Sequence, residues 1–364
     1  MPVPNDYHEQ MQNARTRRLR ALLRELPDVC ADYFIAIEQQ TSPLTRLSYA
    51  YDLKLFFQYL SEELPKFSGK PIAEFTADDI RRVTKHDLER YAQYLSLYVK
   101  NDLEADGSEA SKEITNKEYG IKRKYASLRA FYKYLFADGQ IESNTAALIP
   151  LPKLHERAII RLDIDEVARI LDLAETGQSL PQTYQKYHHI TRKRDLAILS
   201  LFLGTGIRIS ECVGINTDDI DFEQNAFVIT RMGGKEVILY LSDEVAAALK
   251  DYYQERIHIE TVPGHENAFF LSIQRRRITQ RAVENMVKKY ASIAAPLKKK
   301  ISPHKLRSTF GTNLYRETGD IYLVADVLGH SDVNTTRKHY AAISEDHRRI
   351  AAQKTVLRDD SEHK

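Results

Sequence analysis

The sequence predicts a multidomain, mainly α-helical protein that carries one small antiparallel β-sheet. Three observations lead there. At 364 residues the chain is too long for one small domain. Amphipathic segments with apolar residues at helical spacing recur along it. One pair of β-rich runs, 226–230 and 237–241, is joined through Gly233-Gly234 and reads as a hairpin.

The elements follow in order. Residues 1–30 are polar and basic, with Arg15, Arg17, Arg18, Arg20 and Arg24, and read as a short helix or arm. Segment 45–60 puts Tyr49, Leu53, Phe56 and Leu60 at helical spacing, and 87–99 does the same with Leu88, Tyr91, Leu95 and Tyr98. Segment 122–136 carries Tyr125, Leu128, Tyr132 and Leu135 on one face and Lys122, Arg129 and Lys133 on another. The aromatic stripes read as core. The basic face is the candidate surface for a DNA backbone. The polar stretch 101–117 between these last two helices reads as a long exposed loop.

Pro150 and Pro152 disfavour helix and mark a domain boundary within 144–154. The second part opens at Asp163-Ile164-Asp165-Glu166-Val167, a capped helix start. A polar insertion at 175–193 precedes an apolar helix, 195–203, that Gly204 and Gly206 stop. Beyond the hairpin the pattern is helical again. The predicted parts are a basic extension (1–30), a helical domain (31–150), a linker (151–162), an α+β domain (163–350) and a tail (351–364).

Composition narrows the function class. Cys30 and Cys212 are the two cysteines, without paired spacing, which argues for a reducing compartment and against a zinc site. No signal peptide is visible, and nowhere do about eighteen apolar residues run together, so the expectation is a soluble cytoplasmic protein. Lys plus Arg number 53 against 51 acids, a balance that does not itself suggest nucleic acid. The distribution says more. Residues 275–307 hold eleven Lys/Arg against Glu284 alone, and 117–133 hold six against Glu118 alone. Phosphate contacts act at short range, so local basic surfaces count for more than the sum. Two readings stand for each stretch, a DNA-facing surface and a solvated helix face.

The chemistry concentrates in the second half. Arg208 follows Gly204-Thr205-Gly206-Ile207, Lys235 follows Gly233-Gly234, and His304 and Arg307 stand three apart. Then come Leu328-Gly329-His330 and, within Thr335-Thr336-Arg337-Lys338-His339-Tyr340, a tyrosine. A phenol of ordinary pKa near about 10 is a poor nucleophile at neutral pH and needs help. Guanidiniums at Arg208 and Arg307 match the non-bridging oxygens of a phosphodiester and favour the more charged phosphorane. His304 and Arg307, on one helix face, can reach one phosphate. A long ammonium on a turn, Lys235, can protonate a leaving 5′ oxygen. His330 can donate to the phosphate or orient the phenol, and Asn334 is a candidate N-cap for a helix bearing Tyr340. Each residue alone is weak; the ordered combination is specific. His304 and His339 lack a Cys or carboxylate cluster at metal spacing, so neither metal nor cofactor is expected.

These motifs resemble the tyrosine recombinase (phage integrase-like) family, with spacing similar to its Xer-type members. The resemblance is strong over about 160–350. Over 31–150 it extends only to a helical, SAM-like core-binding domain. It implies that Tyr340 attacks a DNA phosphate to give a 3′-phosphotyrosine. Arg208 and Arg307 would clamp that phosphate, with Lys235 as general acid, His304 as general base and His330 stabilising the transition state. It further implies a C-shaped clamp on double-stranded DNA with inverted-repeat half-sites, and a homotetramer exchanging strands through a Holliday junction. No cofactor is implied. The insertions at 101–117 and 175–193 make the chain longer than a minimal member and similar to the single-recombinase XerS type, which resolves chromosome dimers. A DNA translocase would be a further partner. The resemblance also fits an integrase of a mobile element, although no extra N-terminal arm-binding domain is evident. Residues 341–357 carry Ile343, Ile350 and Leu357 at heptad spacing, a helix for docking on a neighbour or on its own domain. A type IB topoisomerase and a non-catalytic DNA-binding protein are the rival readings.

Overall fold

The computed structural model describes residues 7–103, 109–154, 160–231, 234–298, 300–330 and 332–334. The chain divides into two compact units, Met1–Arg157 and Ala158–Lys364.

The first unit is helical: α1 (Tyr7–Leu23), α2 (Val29–Ala36), α3 (Pro43–Glu63), α4 (Ala77–Arg81), α5 (Lys85–Ser96) and α6 (Glu118–Ala137), with a hairpin of β1 (Leu97–Leu103) and β2 (Glu109–Thr115) before α6. Local chemistry sets the starts. Ser42 caps α3 by accepting from Thr45 N, with Pro43 in the first turn. Thr84 and Asp87 form a capping box on α5. The aromatic stripes meet in one core, where Phe56, Phe57, Tyr91, Tyr125, Phe131 and Tyr132 are all buried. Each such ring contributes about 1.5–3 kcal/mol by leaving water. The basic N-terminal segment joins this core through Leu19 and Leu22 of α1.

One ion pair ties α3 to α6. Asp52 takes both arms of Arg123 at 2.6 Å each. Burial nevertheless pushes the Asp52 carboxyl above its ordinary range, because Arg123 is half-exposed and its charge is screened.

The second unit contains α7 (Ile164–Thr176), α8 (Gln182–Thr205), α9 (Ile209–Gly214), α10 (Asp243–Arg256), α11 (Gln280–Ala294), α12 (Pro303–Thr318) and α13 (Ile321–Leu328). Between α9 and α10 lies an antiparallel sheet in the order β3 (Ile220–Asp221), β4 (Ala226–Thr230), β5 (Glu236–Tyr240). The expected hairpin is β4–β5, with Ala226 opposite Tyr240 and Thr230 opposite Glu236. Asp163 and Glu166 form the capping box that starts α7. α8 is the central helix, with Ile198, Leu199, Leu201 and Phe202 buried and α7, α10 and α12 packed around it.

A buried carboxylate locks α8 to α11. Asp195 accepts from Arg194, Thr191, Lys289 and Tyr290 at 2.6 to 3.1 Å. Burial would raise its pKa, but Arg194 and Lys289 outweigh that and hold the carboxyl below the usual range. The same burial, with Asp195 alongside, pushes the Tyr290 phenol up.

Three expectations change. The stretch 101–117 is not a long loop: β1 and β2 pair from Leu97–Thr115 to Leu103–Glu109. Backbone pairing sustains the hairpin where an apolar alternation is too weak to announce it. The insertion at 175–193 belongs largely to α8, which starts at Gln182. Within its α8 part the buried positions are polar: His188 bonds Ala174 O at 2.8 Å, and Thr191 bonds Asp195. A hydropathy pattern cannot register a face buried through hydrogen bonds. Finally, Asp332 rather than Asn334 caps the turn at Val333, since Asp332 Oδ1 accepts from Asn334 N at 2.8 Å. Tyr340, His339 and the segment 341–357 lie outside the described residues.

Candidate active site

The site is built around the C-terminus of α13. Four carbonyls at such an end lack helical partners and must find others. Gly329, at φ +61°, turns the chain into the left-handed region. That turn lets His330 N donate to Ala325 O at 2.9 Å and Gly329 N to Asp326 O at 2.8 Å. Three arginines take the carbonyls that follow. Arg231 Nη2 donates to Val327 O at 2.8 Å, and its Nη1 to Asp326 O at 3.3 Å. Arg307 Nη2 donates to Leu328 O, and Arg208 Nη2 to Gly329 O at 2.8 Å. The negative end of the helix dipole favours this gathering of positive charge.

Each arginine is positioned by its own element. Arg208 caps α9. Glu211, itself buried, accepts from Arg208 N and from Arg208 Nη1, both at 2.8 Å, and so fixes backbone and guanidinium together. Arg307 is only 6 % exposed, inside α12, and its Nη1 reaches Gly206 O at 2.5 Å. Gly206 ends α8 at φ +63°. A Cβ there would overlap Phe310 Cδ1 and come within 2.8 Å of Leu328 Cδ2. Glycine is therefore required both by the backbone and by the close approach of α12 and α13.

The structure thus joins Arg208 and Arg307 at consecutive residues, Leu328 and Gly329, immediately before His330. His304 is exposed in the first turn of α12, one turn before Arg307. Lys235 is exposed where β5 begins; its carbonyl accepts from Arg231 N at 2.8 Å. A guanidinium has five N–H donors in a fork, so it can hold a carbonyl on one edge and a phosphate on another. A phosphodiester carries a full negative charge and is the stronger acceptor.

Sequence reasoning missed Arg231 and Glu211. Glu211 had a signal, its place three residues after Arg208, which is the spacing of a capping box. Arg231 had none, because its acceptors lie 95 and 96 residues away.

The basic stretches divide once partners are seen. Within 117–133, Arg129 donates to Ala146 O at 3.2 Å and also to Ile149 O, Arg123 holds Asp52, and Lys124 donates to Asn116 at 3.0 Å. Lys122 is half-buried and Lys133 exposed on α6. Within 275–307, Arg277 donates to Val213 O and Ile215 O, Lys289 to Asp195, and Lys298 to Asp163 and Glu166. Much of the apparent basic surface is therefore internal fastening. Cys30 and Cys212 are buried, and burial pushes both thiols up, so neither is a nucleophile at neutral pH.

The phage integrase family pattern matches residues 161–347, which span every element just described around α13. The tyrosine recombinase XerC of Caldanaerobacter subterraneus subsp. tengcongensis is 33% identical over 335 residues, 90% of this chain and 85% of the relative. The chain belongs to the phage integrase family. It is a Xer-type site-specific tyrosine recombinase, an enzyme that cleaves and rejoins DNA. XerC of Syntrophus aciditrophicus is 31% identical to this recombinase over 86% of the chain and 91% of the relative. The fold is also that of solved recombinases. The Tn1549 transposon integrase in complex with a circular intermediate DNA superposes with TM-score 0.61 at 19% identity, over 88% of this chain and 98% of that one. XerH bound to difH substrate gives TM-score 0.57 at 19% identity, over 83% and 76%. Among the recombinase's described residues, no helix is long and apolar enough to cross a membrane.

Proposed function

We propose that the recombinase cuts each strand by attack of the Tyr340 phenol on a backbone phosphate, leaving a 3′-phosphotyrosine and a free 5′ hydroxyl. Arg208 and Arg307 neutralise the non-bridging oxygens as negative charge grows on them. Lys235 protonates the departing 5′ oxygen, His304 takes the phenolic proton, and His330 donates to the phosphorane. The 5′ hydroxyl of a partner strand then attacks the phosphotyrosine, so rejoining needs no ATP. Four protomers on two duplexes would exchange strands through a Holliday junction, with residues 163–350 as the catalytic domain. Residues 31–150 would grip the inverted-repeat half-sites, with Lys122 and Lys133 as the phosphate contacts of α6. Arg129, committed to backbone carbonyls, would brace that surface rather than touch DNA.

The observation that carries this reading is the joining of Arg208 and Arg307 at Leu328 and Gly329, next to His330. Two guanidinium forks anchored on consecutive carbonyls would make a bidentate phosphate clamp. The biological role proposed is chromosome dimer resolution at a dif-like site, which similarity to two XerC proteins supports, with a DNA translocase as a candidate activator.

The test of the chemistry uses a nicked duplex bearing the inverted-repeat site. Wild-type protein should become covalently attached to DNA. Tyr340→Phe should bind the duplex and form no adduct, and an adduct in that variant would overturn the assignment. The role is tested by deleting the gene. Accumulation of chromosome dimers supports it; normal segregation with loss of excision of a neighbouring element would replace it with mobile-element integration.

A further inference from the structure

We infer that Arg231 is a positioning residue for the cleavage step, which ties the lysine-bearing turn to the end of α13. The inference rests on the reading of Lys235 as the proton donor.

Arg231 is the first residue beyond β4, and it works in two directions. Its backbone closes the hairpin turn: Arg231 N donates to Lys235 O at 2.8 Å, and Arg231 O accepts from Gly234 N at 3.0 Å. Its guanidinium docks on the other element, at Asp326 O and Val327 O. The side chain also lies across Gly329, where an added Cβ would overlap Nη1 and Cζ of Arg231. One residue therefore fixes Lys235 relative to the chain that presents His330 and leads on toward Tyr340.

The chemistry needs such a tie. A β-hairpin held to its domain only by neighbouring strands leaves a turn lysine with a wide range of positions. In-line displacement requires the nucleophile on one side of phosphorus and the proton donor on the other. Lys235 is exposed and its side chain is long, so its own packing cannot supply that precision. Arg231 can, because a planar fork on two consecutive carbonyls fixes both distance and angle. Its reach to α13 would hold the donor in register with the arginine clamp on the next two carbonyls, Leu328 and Gly329.

The step concerned is the breaking of the P–O5′ bond, in which the departing oxygen takes a proton from Lys235 Nζ. A substrate with sulfur in place of that bridging oxygen breaks a P–S bond instead. Its thiolate leaves unprotonated, since thiols have pKa values near about 8.5. Loss of the proton donor, or of its placement, is then bypassed. Loss of the phosphate clamp is not.

The experiment compares Lys235→Ala, Arg231→Ala and Arg231→Lys on nicked duplexes with oxygen or sulfur at the 5′ bridge, reading the rate of covalent adduct. On the oxygen substrate Lys235→Ala should lose roughly 10²- to 10⁴-fold, the scale of a general acid. Arg231→Ala should lose about 10²-fold, the scale of a misplaced catalytic group. Arg231→Lys, which keeps one donor to the helix end, should lose less. On the sulfur substrate Lys235→Ala and Arg231→Ala should both return to near wild-type rates. Arg231→Ala cleaving normally on oxygen would overturn the inference. So would a defect that persists on sulfur while Lys235→Ala is rescued, because Arg231 would then act through folding or the clamp. If Lys235→Ala itself is not rescued, the role given to Lys235 fails and the inference falls with it.

Discussion

Replacing Gly206 with alanine should damage both stability and cleavage, and the size of each effect follows from the site. The position has φ +63°, where an L-residue costs about 1–2 kcal/mol. Its Cβ would overlap Phe310 Cδ1 and approach Leu328 Cδ2 to 2.8 Å, an overpacking of about 1–3 kcal/mol. Together the destabilisation is about 2–5 kcal/mol. Relief requires α12 or α13 to move, and α12 carries Arg307 while α13 carries Leu328 O, one of the two carbonyls Arg307 holds. A shift of about 1 Å in a catalytic group costs on the order of 10²-fold in rate. Gly204→Ala is the comparison: its Cβ would overlap Val245 Cγ2 as closely, at 2.4 Å, but it sits within α8 without the left-handed backbone and gains about 1 kcal/mol of helix propensity. Urea midpoints measured on the full chain and single-turnover adduct formation on nicked DNA test both arms. If Gly206→Ala unfolds and cleaves like wild type, or costs no more than Gly204→Ala, the argument from the left-handed turn is wrong.

Arg307→Lys should cut adduct formation roughly 10²- to 10³-fold at saturating DNA while leaving affinity nearly unchanged, since one ammonium cannot replace a buried fork on two carbonyls; wild-type rates would remove Arg307 from the clamp. Asp195→Asn should destabilise the second unit by about 3–5 kcal/mol, because Arg194 and Lys289 lose a buried partner. The Asp195 carboxyl is held low in the folded state, so its contribution is full above the unfolded value near about 3.9 and is lost as pH falls through the folded value. Thermal midpoints should therefore fall more steeply below about pH 4 for wild type than for Asp195→Asn, and parallel curves would refute the linkage. Lys122→Glu and Lys133→Glu should each lower the salt slope of DNA binding by roughly 1, whereas Arg129→Ala should cost about 1–3 kcal/mol of stability with the slope intact. The opposite pattern would put Arg129 on the phosphate backbone.

Read alone, the sequence determined the features that depend on near neighbours. The capping pair that starts α7, Asp163–Glu166, is three residues apart, and a helix start needs nothing more distant. The β4–β5 hairpin follows from its glycines, and the aromatic core of α3, α5 and α6 from helical period. The ordered set of Arg208, Lys235, His304, Arg307, His330 and Tyr340 was legible because its residue types recur in a known order. Tertiary structure alone decided which charges serve the fold and which are left for a ligand. Arg129, Arg231, Arg277, Lys289 and Lys298 look alike in sequence, yet each reaches an oxygen many residues away. The buried polar face of α8 and the pairing of β1 with β2 escaped for a related reason. Hydropathy records the affinity of a side chain for water. It does not record whether folding brings a carbonyl or carboxylate close enough to take water's place.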